Sequence, residues 1–180
     1  MNSRKLAGGP TQDEIMAVSL LKLGLVSTDS VLEIGCGTGK VSVAMAKAAK
    51  KLYSLDKRPD AVSLATETAR QAGVRNIEFF CTDAREFLRT DATWDCAFLG
   101  GTSGLEEILP ILAKKVKRTI VINAVMLSTL DRAVTVLQDL GIFCEVVQVQ
   151  VSRSHEIAGS IMFKPIDPVF VIVARGAACS

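Results

Sequence analysis

The chain has 180 residues, of which 49% are hydrophobic and 22% charged, and its formal net charge at pH 7 is +2. This length suits a single core, so we expect one domain over residues 1–180. A charge this small gives no indication of a polyanionic partner, and aromatic residues at 5% leave few stacking platforms for single-stranded nucleic acid. We therefore predict no nucleic-acid partner.

Cysteine usage and hydropathy indicate the compartment. The start of the chain lacks the apolar stretch of a signal peptide, and no run approaches the ~18 apolar residues that span a bilayer. We therefore expect no membrane partner. With a single histidine, His155, and no clustered Cys or His ligands, we also expect no metal site. The cysteines are odd in number and never form a C-x-x-C pair, so we expect reduced thiols in the cytoplasm; they are Cys36, Cys81, Cys96, Cys144 and Cys179.

The first elements are a polar segment and a helix. Residues Met1–Pro10 carry charged residues and glycines, which predicts a flexible arm. Thr11-x-x-Glu14 has the spacing of a capping box, and apolar residues follow at helical intervals. We therefore expect Thr11 to cap a helix that ends near Gly24.

Next comes an apolar run that stops at three glycines. Val31–Ile34 predicts a short buried strand, and Gly35, Gly37 and Gly39 let the backbone turn tightly and approach a ligand without Cβ clashes. Lys40–Lys50 has helical spacing, so its first N–H groups would face the glycine loop. The stretch predicts a cofactor cradle.

The middle of the chain alternates strand and helix patterns, and polar or glycine residues follow several of the strands. We predict strands at Leu52–Asp56, Asn76–Cys81, Trp94–Leu99 and Arg118–Asn123, and helices at Pro59–Ala72, Leu105–Val116 and Leu127–Leu140.

The last part changes its pattern. Phe143–Val151 alternates apolar and polar residues, and Pro168–Ala174 is continuously apolar, with no helix between them. We expect these two strands to pair antiparallel, joined by a long functional or mobile loop at Ser152–Asp167. The whole pattern predicts an α/β fold, with a mainly parallel sheet, helices on both faces and one reversed strand near its edge.

Acidic residues at strand ends decide between two nucleotide ligands. The glycine spacing is G-x-G-x-G, whereas a dinucleotide site requires G-x-G-x-x-G. Asp56 lies 21 positions after Gly35, where a carboxylate reaches ribose hydroxyls. Glu33 suits an ammonium group better than a pyrophosphate, and Asp83 suits an exocyclic amine. This favours S-adenosylmethionine, although Glu33 could instead pair with a Lys or Arg across the sheet end.

These motifs resemble the class I methyltransferases over roughly Thr11 to Ala174. The resemblance implies a Rossmann-like fold with a seven-stranded, mostly parallel sheet, and S-adenosyl-L-methionine as cofactor. It also implies a contact for Thr11, which the residues alone explain as a helix cap. The implied cofactor-binding residues are Thr11, Glu33, Gly35, Cys36, Gly37, Thr38, Gly39, Asp56, Asp83 and Ala84.

A narrower resemblance concerns the substrate. The motif of amine methyltransferases, Asn or Asp before Pro-Pro-aromatic, is absent after the fourth strand, where Gly100–Gly104 stands instead. Further segments to compare are Gly9-Pro10-Thr11, Asn123-Ala124-Val125, and Arg153 with Gly159 and Met162. In these segments and in the Gly100–Gly104 loop, the chain is similar to the cobalt-precorrin-6B C15-methyltransferase (decarboxylating) family of cobalamin biosynthesis, which implies a tetrapyrrole substrate, methylation of C15 and loss of carbon dioxide. We take the candidate site residues from these segments and from the cationic side chains that the acid groups of the substrate would require. Substrate-binding candidates are Gly101, Ser103, Asn123 and Arg153, with Arg4, Lys5 and Lys164 as further cations; candidate catalytic residues are Asn123, Ser103 and Arg153.

Several readings stay open at this point. Ser103 could cap the next helix as easily as bind a carboxylate, and His155 has the features of a surface loop residue. The alternatives for function are an RNA adenine-N1 methyltransferase and a non-catalytic subunit that keeps the fold. The apolar final strands favour a homo-oligomer, a dimer or tetramer.

Overall fold

A computed structural model describes the chain at Gly9 and over residues 11–176. The predicted arm at Met1–Pro10, with Arg4 and Lys5, falls outside these residues apart from Gly9. Six helices and nine strands follow one another in the described part: α1 (Asp13–Leu23), β1 (Ser30–Ile34), α2 (Lys40–Ala48), β2 (Lys51–Asp56), α3 (Pro59–Gln71), β3 (Ile77–Cys81), α4 (Ala84–Phe87), β4 (Trp94–Leu99), α5 (Leu105–Lys115), β5 (Val116–Ala124), α6 (Leu127–Asp139), β6 (Phe143–Val149), β7 (Ser152–Ile157), β8 (Ser160–Pro165) and β9 (Val169–Arg175).

Seven strands form one sheet in the order β3-β2-β1-β4-β5-β9-β6. The first five strands in this order, β3 to β5, pair in parallel with their neighbours, and β9 runs antiparallel to both β5 and β6. The expected α/β fold, with a mainly parallel sheet and one reversed strand, is therefore confirmed.

Helices cover both faces of the sheet. Alternate strand residues face opposite sides, and because the central strands are apolar at both sets of positions, each face needs a covering layer. Val31 packs with α1 and α2 residues such as Leu23 and Met45. Its neighbour Leu32 packs on the other face with α5 and α6 residues, including Leu109 and Leu137. Each face thus contributes its own hydrophobic layer.

The register aligns the carboxyl ends of the central strands. Ile34 pairs with Leu55 on one side and with Leu99 on the other, and Asp56 pairs with Cys81. The residues after β1, β2, β3 and β4 therefore meet at one edge, where ligands of open α/β sheets bind.

The capping box predicted at Thr11 is wrong. The residue at the N-cap of α1 is Gln12, and no side-chain hydrogen bond caps the helix. The carbonyl of Thr11 instead accepts a hydrogen bond from Lys40 Nζ at 3.0 Å, which ties this segment to the start of α2. The predicted end of the helix is confirmed, since Gly24 forms a left-handed C-cap at φ 58°.

The long loop predicted at Ser152–Asp167 is also wrong in its main part. Strands β7 and β8 pair antiparallel from Ser152 and Pro165 to Ile157 and Ser160. Ala158 and Gly159 form the turn with φ values of 48° and 77°, and a two-residue hairpin turn needs positive φ at these positions. The connection between β6 and β9 is therefore mostly a second, two-stranded sheet.

Candidate active site

A cavity of about 710 Å³ opens at the carboxyl ends of the central strands. Its volume is typical of a small-molecule site. The candidate residues that line it come from five separate strand ends and from the segment before α1: Thr11, Glu33, Gly35, Cys36, Gly37, Thr38, Asp56, Asp83, Ala84, Gly101, Ser103 and Asn123. The fold thus brings together most of the residues predicted from the sequence.

Two glycines of the first loop are required by close backbone contacts. A Cβ on Gly35 would lie 2.5 Å from the Gly101 nitrogen, and Gly35 has φ +90°. A Cβ on Gly39 would lie 2.6 Å from the Ala65 Cα, at φ +80°. Gly35 therefore lets the loops after β1 and β4 touch beneath the cavity, whereas Gly39, which does not line the cavity, lets α3 pack against the start of α2.

Cys36 lies between these glycines and is buried. Burial, with a smaller contribution from Glu33 and Asp56, raises the pKa of its thiol to about 12. A thiol that stays protonated at neutral pH is a poor nucleophile. The contribution of Cys36 to the site is therefore its backbone and its volume.

Glu33 is a fully buried carboxyl group with one free oxygen. Its Oε2 accepts hydrogen bonds from the hydroxyls of Ser42 and Ser54, both at 2.5 Å, while its Oε1 is buried without a partner. Burial raises its pKa to about 7, although the two serine bonds act in the opposite direction. A buried acceptor without a partner at the wall of a cavity suits a cationic ligand group.

Asp56, at the end of β2, is held by its surroundings in one orientation. It receives hydrogen bonds from the backbone N–H of Gly37 at 3.2 Å and from both the backbone and the guanidinium of Arg58. Burial raises its pKa, but these hydrogen bonds outweigh burial and leave the pKa below the ordinary value. Asp56 is therefore an ionised acceptor at the cavity wall.

Asp83 lies in the same position after β3. Its Oδ1 accepts the backbone N–H of Arg85 at 2.9 Å, which caps the short helix α4. The hydrogen bonds from Arg85 lower the pKa of the Asp83 carboxyl. The cap reading and the ligand reading of Asp83 are compatible, since a carboxylate has about four acceptor positions.

The other side of the cavity contains polar groups from β5 and from the loop after β4. Asn123 Oδ1 lies 3.0 Å from the Ser19 hydroxyl, and its Nδ2 is buried without a partner. Ser103 does not cap α5, because the N-cap is Gly104 and no side chain bonds there. Ser103 and Asn123 are thus available to a ligand that enters beside Gly101.

The remaining predicted residues lie elsewhere. Arg153, on β7, does not line the cavity and forms an ion pair with Glu14 of α1 at 2.6 Å. His155 pairs with Met162 across the hairpin, and Lys164 lies on β8 opposite Arg153. Arg153 therefore ties the hairpin to the helix beside the cavity.

Sequence reasoning missed a group of lining residues around β9. Ile166, Asp167 and Val169 line the cavity beside Val125, which follows β5. Because β9 is antiparallel, its beginning lies at the sheet edge where the parallel strands end. The predicted reversal of the last strand was the signal that could have identified them.

The residues present fit S-adenosylmethionine. Glu33 Oε1 offers an acceptor for an ammonium group, and Asp56 and Asp83 place carboxylates at the two neighbouring strand ends. The first turn of α2 borders the cavity through Lys40 and Val41. No phosphate is needed to satisfy the site, and Glu33 would repel one.

Comparisons with known proteins agree with this geometry. A relative from Methanosarcina acetivorans, named "Probable cobalt-precorrin-6B C(15)-methyltransferase (decarboxylating)", is 42% identical over 94% of this chain and 95% of its own length. The solved structure of a precorrin 8W decarboxylase from Methanobacterium thermoautotrophicum is 29% identical, with a TM-score of 0.89 over 92% of this chain and 91% of that one. A precorrin-6y C5,15-methyltransferase structure from Geobacter metallireducens is 30% identical, with a TM-score of 0.86 over 97% and 94%. The family model described as "Precorrin methyltransferase domain" matches residues 5–175, so the chain belongs to the precorrin methyltransferase domain family.

Proposed function

We propose that this chain uses S-adenosyl-L-methionine to methylate C15 of cobalt-precorrin-6B, or of its cobalt-free counterpart, and removes the C12 acetate carboxyl group as carbon dioxide, in cytoplasmic cobalamin biosynthesis. The observation that carries the proposal is the set of acidic acceptors at successive strand ends, Glu33, Asp56 and Asp83, around one cavity. The names of relatives 42% and 44% identical to this chain support the substrate and the reaction.

Each acid has a distinct role in this proposal. Glu33 Oε1 accepts from the ammonium group of the cofactor, Asp56 from the ribose hydroxyls and Asp83 from the adenine amine. The absence of a Cβ on Gly35 keeps the loops after β1 and β4 in contact, and these two loops border the methionine end of the cofactor in this proposal. The three acids and Gly35 hold and orient the nucleoside together with further predicted residues: Thr11, Cys36, Gly37, Thr38 and Ala84 at the cavity wall, and Gly39 behind it.

The bound cofactor supplies an electrophilic methyl group on a sulfonium. The substrate's meso carbon is enamine-like and already nucleophilic, so the chain chiefly aligns the two groups. In the decarboxylation, the bond between the acetate methylene and the carboxyl carbon breaks, carbon dioxide leaves and the electron pair moves into the conjugated macrocycle. A proton given up by the macrocycle then converts the methylene carbon into a methyl group. Gly101, Ser103 and Asn123 contact the substrate, and Asn123 Nδ2 offers it a buried donor that has no partner.

The test is incubation with methyl-labelled cofactor and a precorrin-6-type substrate, with and without cobalt. We expect the product to gain one methyl group and to lose one carbon dioxide by mass spectrometry. Label transferred to RNA would contradict the proposal and favour the RNA methyltransferase. Absence of cofactor binding by calorimetry would favour the non-catalytic subunit.

We also propose that the chain forms a homo-oligomer, a dimer or tetramer, through the hairpin β7–β8. Ile161 and Phe163 lie on one face of the hairpin and are 76% and 67% exposed. A two-stranded hairpin alone is marginally stable in water, so a second copy that covers this face would stabilise it. Light scattering should give a multiple of 19.2 kDa for the native chain and a smaller mass for the double variant Ile161→Ser and Phe163→Ser. A native mass of one chain would contradict this proposal.

A further inference from the structure

Every acceptor position of Asp56 is already taken. Oδ1 accepts from the backbone N–H of Arg58 at 3.1 Å and from its Nε at 3.0 Å. Oδ2 accepts from Arg58 Nη2 at 2.9 Å and from the backbone N–H of Gly37 at 3.2 Å. A carboxylate offers about four lone-pair positions. Two of the four are thus occupied by backbone groups and two by the Arg58 side chain.

The pair of Asp83 and Arg85 has the same arrangement, but one acceptor position fewer of the carboxylate is occupied. In both Asp56-Lys57-Arg58 and Asp83-Ala84-Arg85, the arginine two residues on donates its backbone N–H and its guanidinium to the acid. Asp83 Oδ2 accepts from Arg85 Nη2 alone among these groups, at 3.2 Å. One acceptor position of Asp83 therefore suffices for an adenine amine, whereas Asp56 has none left for a ribose diol.

We propose that the Arg58 side chain is a latch on Asp56, which must open before a ribose can bind there. This proposal rests on the proposed function, because it takes the cofactor's ribose as the ligand of Asp56. The two ribose hydroxyls replace Nε and Nη2, while the backbone N–H groups of Arg58 and Gly37 keep the carboxylate in place. The Arg58 side chain is 38% exposed, against 5% for Asp56, so the guanidinium can turn out to solvent while the acid stays at the wall.

The latch and a supporting role for Arg58 predict opposite effects. If Arg58 only orients Asp56, its removal weakens nucleoside binding. If Arg58 competes with the ribose, its removal relieves the work of opening the pair and strengthens binding. The sign of the change in affinity therefore separates the two roles.

The test measures binding of S-adenosylhomocysteine to the native chain and to Arg58→Ala by calorimetry. We expect Kd to fall roughly three- to tenfold in the variant, the range for opening a partly exposed ion pair. Arg58→Lys, which keeps the charge but cannot form the fork, should show a smaller fall. Arg70→Ala is the control: this arginine lies in the last turn of α3, whose N-cap residue is Arg58, and it is paired with Glu67 at 2.7 Å, so its removal should leave Kd unchanged.

Two further ligands separate the latch from a change of charge. S-adenosylmethionine, a cation, and S-adenosylhomocysteine, a neutral zwitterion, should gain by the same factor, since both carry the diol. 2′,3′-Dideoxyadenosine should gain nothing. A gain restricted to the cation, or an equal gain for the dideoxy compound, would overturn the latch.

Thermal melting establishes that each variant is folded. An unchanged or higher Kd in folded Arg58→Ala, beside normal binding by the native chain, would overturn the latch and leave the proposed function intact. Failure of the native chain itself to bind either nucleoside would overturn the proposed function. If Arg58→Ala does not fold, Arg58→Lys decides by the same sign.

Discussion

Replacing Glu33 by glutamine should remove a loss of unfolding free energy that the native chain shows as pH rises. Glutamine keeps an oxygen for the hydroxyls of Ser42 and Ser54 but cannot ionise. Burial raises the pKa of Glu33 from 4.5 to about 7, so the folded chain holds a proton that the unfolded chain has already released. The free energy of unfolding of the native chain should therefore fall as pH rises from 4.5 to about 7.

The size of this effect follows from the two pKa values. At 1.36 kcal/mol for each pH unit, the difference between 4.5 and about 7 amounts to about 3 kcal/mol. Of this, about 2.5 kcal/mol falls between pH 5 and pH 8. Glu33→Gln should gain that amount of stability relative to the native chain over this interval.

Urea denaturation at pH 5 and pH 8, followed by circular dichroism, measures the change. Glu67→Gln is the matched control, because Glu67 is an exposed glutamate with a pKa of about 2, which completes its titration below pH 5. Its difference from the native chain should be the same at both pH values. The quantity to compare is the unfolding free energy of Glu33→Gln minus that of the native chain. If it stays constant or decreases between pH 5 and pH 8, the argument that burial raises the pKa of this carboxyl group is refuted.

Three further predictions test other parts of the structure. Gly39→Ala, which places a Cβ 2.6 Å from a neighbouring backbone atom, should lose roughly 3–4 kcal/mol of unfolding free energy, while Gly37→Ala, with nothing within 4 Å, should lose about 1 kcal/mol; equal losses in thermal melts would contradict the close contact. Asp29→Ala removes a carboxylate that is 3% exposed on its side chain and paired with Arg118 at 2.8 Å, so urea denaturation should show a loss of roughly 3 kcal/mol, and a loss below about 1 would show that the pair is dispensable. Arg153→Ala breaks the ion pair with Glu14 that ties the hairpin to α1 beside the cavity, so it should raise the KM of the tetrapyrrole without changing S-adenosylhomocysteine binding, and unchanged kinetics would show that this ion pair does not shape the substrate site.

The sequence was sufficient where local chemistry determines structure. The apolar run before Gly35 and the acids at 56 and 83 mark strand ends, and parallel strands bring such ends together by geometry. The helix cap at Thr11 was wrong because Gln12 takes the N-cap position, while the Thr11 carbonyl binds Lys40, a partner 29 residues away. Such a contact depends on packing that no local pattern specifies.

The hairpin β7–β8 was missed for a related reason. Its apolar residues Ile161, Met162 and Phe163 are consecutive in the sequence, so the alternation of apolar and polar residues that indicates a half-buried strand is absent. The turn at Ala158-Gly159 carried a weak local signal, since glycine readily adopts positive φ. The arginine pairs of Asp56 and Asp83 were likewise hidden, because side-chain rotamers decide which acceptor positions are filled.

The position of β9 has a consequence for the order in which the protein is assembled during synthesis. Five strands, β3 to β5 in the sheet order, can come together once residues up to Ala124 have left the ribosome. Strand β6 leaves next but has no neighbour in that sheet, because β9 separates it from β5. Residues 143–149 must therefore wait about 20 residues for their partner, and this nascent stretch is the point at which we expect a chaperone to engage the chain.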